Sequence, residues 1–411
     1  MDNFPNCKVC KTGKLKRFLE LGDIPPVNAF ISEEELPNEK AYPLNLAYCE
    51  SCLLVQIEDI VPPEKLFSNY LHLSSGSASN IKHLREVADN LNSHFSITQD
   101  TKILEIGSND GTLLSFLKEK TDQVLGVDPA KNLVDMNKEK GVDYIPEFFN
   151  TSTAAKILED KGHYDLIVAL NVIPHTPDVV DLLQGVERIL SPNGTLVMEG
   201  AYALETILKG EFDTIYHEHV YSFSLHSLIS TFKQANLKVV GVEKIPTQGG
   251  SLRIYAQKME GSSSVSEAVT NLLKEESEQG LTNPQIYDSV DPKVKEFKKE
   301  LRKLIDQEKQ KGSKLIGLGG PARGVVILNY CGIGIEDIAY LVDDTPLKQG
   351  KLTPGVHVPV KSFDSLKTEQ NPIFFLLSWN YKDHFITKLK EIFPEFTMIV
   401  PFPKLELVKN G

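Results

Sequence analysis

Tyr216-His217-Glu218-His219 sets side by side four groups able to give, take or hold a proton, inside Glu211-Phe-Asp-Thr-Ile-Tyr-His-Glu-His-Val-Tyr-Ser-Phe-Ser224. Apolar and aromatic residues close in on both sides, so this is not the composition of a solvated polar loop. Imidazole is the side chain best matched to taking a proton near neutral pH. A tyrosine and a glutamate beside it can orient it or meet a developing oxyanion. Two other readings stand open. On a strand His217 and His219 would face the same way and, with Glu218, hold a metal, although no third ligand follows at a fixed spacing. Alternatively, the cluster packs an interdomain seam.

A second chemistry lies in Cys7-Lys-Val-Cys10 and Cys49-Glu-Ser-Cys52. Each pair suits a tight knuckle that directs two thiolates at one ion, with Gly13 at the turn leaving the first. Four thiolates with no open position describe a structural zinc site rather than a catalytic one. A third lies in Lys102-Ile-Leu-Glu-Ile-Gly-Ser-Asn-Asp-Gly-Thr-Leu-Leu114. There an apolar strand ends in Glu105-x-Gly107-x-x-x-Gly111 and runs into an amphipathic helix. A further strand ends in Asp128, placed to take two ribose hydroxyls. Glu105 would repel a dinucleotide pyrophosphate but suits the cationic amino-acid end of S-adenosylmethionine. A methyltransferase is therefore favoured over a dehydrogenase.

These groups need elements to position them. The 411 residues are too many for one core, and two or three domains are expected. Net charge is -12, from 44 Lys+Arg against 56 Asp+Glu, which argues against nucleic acid or an anionic membrane as the main partner. No apolar run approaches the ~20 residues of a membrane span. The first residues lack the features of a signal peptide. A cytoplasmic protein, monomeric or a small homo-oligomer, is expected. Strands are expected near 15–21 and 44–48. Residues 61–79 read as a connector from which Pro62 and Pro63 exclude helix. An amphipathic helix follows at 79–94. Strand and helix then alternate: a buried strand at 164–170 ending in Asn171, a helix at 178–190, a strand at 194–199, a helix at 226–235 and a strand at 238–242. His175 after Pro174 is either catalytic or structural. Gln248-Gly-Gly-Ser-Leu-Arg253 reads as a turn of close approach, where Arg253 holds either an internal carboxylate or a phosphate. The charged stretch 274–279 reads as a boundary or a mobile surface helix. A helix at 292–311 leads to a second glycine-rich loop, Gly317-Leu-Gly-Gly-Pro-Ala-Arg-Gly324, with 372–378 as the last strand.

Taken in order, the cysteine pairs, Glu105-Ile-Gly-Ser-Asn-Asp-Gly111, Gly126-Val-Asp-Pro-Ala130, Tyr216-His-Glu-His219, Gly249-Gly-Ser-Leu-Arg253 and Asp343-Asp-Thr-Pro-Leu-Lys-Gln-Gly350 resemble the C-methyltransferases of nucleotide-linked 4-keto-6-deoxysugars. The likeness spans essentially the whole chain. It implies an α/β architecture of three parts: a zinc-binding lobe (1–75), a central class I methyltransferase Rossmann-like domain (76–258) and a C-terminal Rossmann-like domain for the sugar nucleotide (285–411). It also implies His219 as the base, assisted by Tyr216 and Glu218. The cofactor, S-adenosylmethionine, would lie against Glu105, Gly107, Asn109, Gly111, Asp128 and Asn171. A dTDP-linked 4-keto sugar would be held with the help of Tyr70, Arg253 and Arg323, with Arg323 and the 319–324 backbone at the diphosphate. Cys7, Cys10, Cys49 and Cys52 would hold Zn2+. The competing reading is an O- or N-methyltransferase of a small metabolite, which needs the same cofactor loop but no enolising base.

Overall fold

A computed structural model describes residues 6–67, 73–76, 78–247 and 250–410. Tyr70 and Gly249 lie outside the described residues. Among the described residues, three sheets organise the chain. In the first, β1 (Leu15–Ile24), β2 (Tyr42–Cys49) and β3 (Val55–Ile57) pair antiparallel in that order. The connector is not free of helix, since Pro63–Phe67 forms a short one. Proline fits the first helical turn, where its missing N–H has no partner to lose.

The second sheet contains β4 (Ile103–Ile106), β5 (Val124–Val127), β6 (Asp143–Ile145), β7 (Tyr164–Leu170) and β8 (Leu190–Ala201), all parallel. The next strand, β9 (Tyr221–Ser222), leaves it and pairs instead with β3 of the first sheet, Gln56 opposite Tyr221. β10 (Leu237–Ile245) and β11 (Ser251–Lys258) return, and β11 inserts antiparallel between β10 and β8. The order β10-β11-β8-β7-β4-β5-β6 is that of a class I methyltransferase. It reverses at β4 and β7, whose carboxyl ends open a crevice of the kind that binds ligands in such sheets.

Helices cover this sheet. Leu84, Val87, Ala88 and Leu91 of Ala78–Phe95 are buried with Leu113, Leu114 and Leu117 of the helix that follows β4. Of the stretch 274–279, residues 274–278 are helical and mostly exposed, which is the surface-helix reading and not a boundary. They belong to the helix Glu267–Glu278, whose buried Glu276 accepts hydrogen bonds from Leu225 N, His226 N and the Tyr202 hydroxyl. A carboxylate there complements the positive end of the helix Leu225–Gln234.

The third sheet comprises β12 (Leu315–Leu318), β13 (Ile338–Val342), β14 (Val360–Lys361), β15 (Ile373–Leu376), β16 (Phe396–Val400) and β17 (Glu406–Asn410). It is parallel except at β17 and follows the order β14-β13-β12-β15-β16-β17. The reading of 372–378 as the last strand falls short by two, because the alternation there gives no sign of where the sheet ends. Among the described residues no helix is long and apolar enough to cross a membrane.

Candidate active site and metal centre

The four cysteines of the paired motifs converge. Their sulfurs all lie within 4.8 Å of one another. Cys7 Sγ is 3.7 Å from Cys52 Sγ, and Cys10 Sγ is 3.6 Å from Cys49 Sγ. Zn–S bonds of about 2.3 Å in a tetrahedron put the sulfurs about 3.8 Å apart, so the donor set fits zinc. Backbone N–H groups of Gly13, Ser51 and Cys52 point at the sulfurs. A Cβ on Gly13 would stand 2.2 Å from Cys49 Sγ, so that turn needs glycine. Gln56 ties the centre to the sheet: its Nε2 donates to Cys7 Sγ, its Oε1 accepts from Lys8 N, and its backbone lies opposite Tyr221 of β9.

The loop after β4 takes left-handed backbone at Gly107 (φ 69°), Asn109 (φ 51°) and Gly111 (φ 73°), as the residue types demand. Asn109 shapes the loop with its side chain, since its Oδ1 accepts from Ser74 N and Asp110 N. The Asp128 carboxylate accepts from Asn109 N and Ala130 N, one bond at each oxygen, which leaves lone pairs for a diol. Glu105 is buried, and its Oε2 has no hydrogen-bond partner among the described residues. Burial, then Asp128 and Asp110, hold its carboxyl well above the usual range. An orphaned acid beside a ribose-type acid fits a ligand that carries positive charge and a diol, and S-adenosylmethionine is such a ligand. At Gly107 a Cβ would lie 2.3 Å from Val172 Cγ2 on a backbone that L-residues avoid. Gly107→Ala is therefore expected to weaken S-adenosylmethionine binding at least about tenfold by isothermal titration, with the fold retained. Unchanged affinity would mean the loop does not approach the cofactor.

Tyr216–His219 is a tight turn closed by His219 N donating to Tyr216 O (2.8 Å), not a strand. Its two histidines consequently point apart. His217 Nε2 lies 3.2 and 3.3 Å from the Tyr42 and Pro43 carbonyls, so the reading of His217 and His219 as joint metal ligands is overturned. His219 Nδ1 lies 2.7 Å from the Thr214 carbonyl. A carbonyl can only accept, so Nδ1 carries the hydrogen and Nε2 keeps a lone pair. Burial, with the Arg323 charge adding to it, brings the ring down to about 4 and keeps it neutral. His219, His175 and Asn171 line one recess, so the base candidate and the carboxyl end of β7 share a space. The Tyr216 ring lies 4.0 Å from that of His219 and His175 4.7 Å, edge to face. Glu218 turns toward the zinc-binding lobe, where Asn28 Nδ2 donates to its Oε1 (2.6 Å), and burial pushes its carboxyl up to about 7. The Thr214 carbonyl, not Glu218, orients the His219 ring.

Three family descriptions match in succession: a zinc binding domain at residues 7–67, a methyltransferase domain at 78–242 and a C-methyltransferase C-terminal domain at 246–403. C-methyltransferase NovU of Streptomyces niveus is 30% identical over 98% of this chain and 96% of its own. This chain belongs to the S-adenosylmethionine-dependent C-methyltransferases. The ubiquinone biosynthesis O-methyltransferase of Leptothrix cholodnii is 25% identical but matches only 23% of this chain and 41% of its own. Among solved structures, magnesium protoporphyrin IX methyltransferase from Synechocystis PCC 6803 covers 43% of this chain and 79% of its own at 13% identity. Its TM-score of 0.33 is too low to argue from.

In this C-methyltransferase two expected substrate contacts are engaged elsewhere. Arg253 holds internal carboxylates: Glu199 at 2.6 Å and Glu243 at 3.3 Å, with His83 on the other oxygen of Glu199. Of the two readings of Arg253, the internal carboxylate is the one observed. Arg323 does not face an open diphosphate site either. Its Nε and a terminal nitrogen donate to the two oxygens of buried Asp213 at 3.0 and 2.9 Å, with Glu211 at 3.5 Å. The N–H of Gly319 donates to Val342 O and that of Gly320 to the Asp343 carboxylate, so these amides form no anion cradle. An arginine after a glycine-rich loop invites a phosphate reading, and its partner Asp213 is too distant in sequence to warn against it. Asn28, Asp213, Thr214 and Trp379 were not singled out from sequence. Only Asp213 and Thr214, in the stretch before Tyr216, carried a local hint.

Proposed function

We propose that this C-methyltransferase methylates a carbon next to the ketone of a nucleotide-linked 4-keto-6-deoxysugar, most simply C3 of a dTDP sugar. The observation that carries the reading is the neutral His219, with Nδ1 committed to Thr214 and Nε2 left to accept, in a recess shared with Asn171. Methylation at oxygen or nitrogen does not require a base for carbon acids. A ketone acidifies the neighbouring C–H, so Nε2 takes that proton and leaves an enolate whose carbon is the nucleophile. The Thr214 carbonyl stabilises the imidazolium that forms. Tyr216, whose hydroxyl burial holds in its protonated form, donates to the developing oxyanion. Bound S-adenosylmethionine supplies an electrophilic methyl on a sulfonium. Glu105, the 107–111 loop, Asp128 and Asn171 would hold it, and residues 1–75, 76–258 and 285–411 would form the three domains.

The test is mass spectrometry of dTDP-4-keto-6-deoxysugars incubated with protein and S-adenosylmethionine. The expected product is heavier by one methyl, with NMR placing it on C3. Exchange of the α-proton in deuterated water without cofactor should accompany it. Methylation of a hydroxyl or amine without α-exchange would overturn the reading.

A further inference from the structure

Arg323 enters from the helix Ala322–Cys331 of the third sheet, far in sequence from the residues it meets. Its guanidinium grips Asp213 with two N–H bonds and lies 4.4 Å over the Trp379 ring, while Trp379 Nε1 donates to the same carboxylate at 2.8 Å. Asp213 is fully buried, so a planar fork and an indole N–H hold it in a fixed place. The residue after it, Thr214, supplies the carbonyl that accepts from His219 Nδ1. Thr214 Oγ1 and Ile215 N bond back to Glu211 O and Phe212 O, so the turn moves as a unit.

We propose that Arg323 is a positioning residue for the base: through Asp213 it fixes the turn whose Thr214 carbonyl selects the tautomer and orientation of His219. This rests on the reading of His219 as the base. The positive charge of Arg323 also opposes protonation of the ring, in the direction already described. Among the described residues, the other titratable or charged groups around His219 include His175 at the end of β7, Tyr216 and Glu218 on its own turn, Tyr202 and Tyr221 along the recess, the Glu211–Asp213 pair itself, and Lys209 beside Glu211. Removing Arg323 takes away a cation and, among the described residues, leaves Asp213 with only the Trp379 N–H, and Glu211 with only the more distant Lys209, beside it. Both changes favour imidazolium.

The measurement is 15N NMR of the histidine ring nitrogens in the full-length protein across pH 4–9, for native protein, Arg323→Met, Arg323→Lys and Trp379→Phe. Native His219 is expected as the single Nδ1–H tautomer, neutral down to about pH 5. In Arg323→Met the tautomers should mix and the titration rise by about one pH unit or more. Turnover should fall about 10–100-fold while the KM for S-adenosylmethionine stays unchanged. Arg323→Lys should restore the charge and most of the titration, but not the single tautomer. Trp379→Phe, which keeps an aromatic ring near Arg323 and removes the indole hydrogen bond to Asp213, should give a smaller shift in the same direction and serves if Arg323→Met does not fold. An unchanged tautomer and titration in both the methionine and phenylalanine variants would overturn the proposal. Full turnover in His219→Asn would instead overturn the base assignment, so the two failures are distinguishable.

Discussion

His219→Asn is expected to lower methyl transfer about 10²–10⁴-fold while S-adenosylmethionine binds with unchanged affinity. The asparagine amide places an N–H near the site of Nδ1, so the bond to the Thr214 carbonyl can survive and the turn keeps its shape. What disappears is Nε2, the acceptor for the substrate proton. On the proposed reading, the cofactor lies against the loop after β4, on another element. Single-turnover rates with the nucleotide sugar, beside calorimetric titration of the cofactor, separate the two. Because burial holds native His219 at about 4, the acid limb of the native rate profile should lie near there and not at the 6.5 of a solvated histidine. Near-normal turnover in His219→Asn would exclude it as the base.

Removal of zinc should abolish methyl transfer and leave cofactor binding in place. A lobe this small buries too little surface to stand alone, and a structural zinc site supplies about 10–16 kcal/mol in small isolated domains. The lobe touches the base turn repeatedly: β3 pairs with β9, Ile57 N donates to Val220 O, His217 reaches the Tyr42 and Pro43 carbonyls, and Asn28 holds Glu218. Hydrogen exchange after chelation, or in Cys49→Ser, is expected to speed up across residues 15–57 and 217–222 together. Protection retained at 217–222 after the metal is gone would show that the turn does not depend on the lobe.

How much of this was legible in the chain depended on how local the cause was. Gly107, Asn109 and Gly111 announce left-handed backbone by residue type, and the cysteine spacing announces a tetrahedron, so both were readable. The apolar stripe of 79–94 likewise predicted a helix within one residue at each end. Arg323 was misleading, and Arg253 stayed open between two readings, because a guanidinium seeks an anion and sequence does not say whether that anion is a ligand or an internal carboxylate. The alternative metal reading of His217 and His219 fails for a different reason. Period-two alternation presumes a strand, and four residues closed by one hydrogen bond are too few to show that they form a turn. Within the charged stretch 274–279, nothing in a run of acids marks Glu276 as the one that ends against a helix terminus.

The pairing of β3 with β9 also sets an order of events in the cell. As the chain leaves the ribosome, Gln56 emerges long before Tyr221, so the metal-bound lobe can form while one edge of its sheet stays open. That edge closes only when the central sheet has been made up to β8 and the chain doubles back. The turn at Tyr216–His219 therefore forms only after β8, and Arg323, later still, reaches it from the third sheet. A nascent chain stalled before residue 323 should bind zinc and already contain β4 to β8, yet lack the finished turn. On the proposed reading of His219 as the base, proton abstraction becomes possible only once Arg323 and Trp379 have been made.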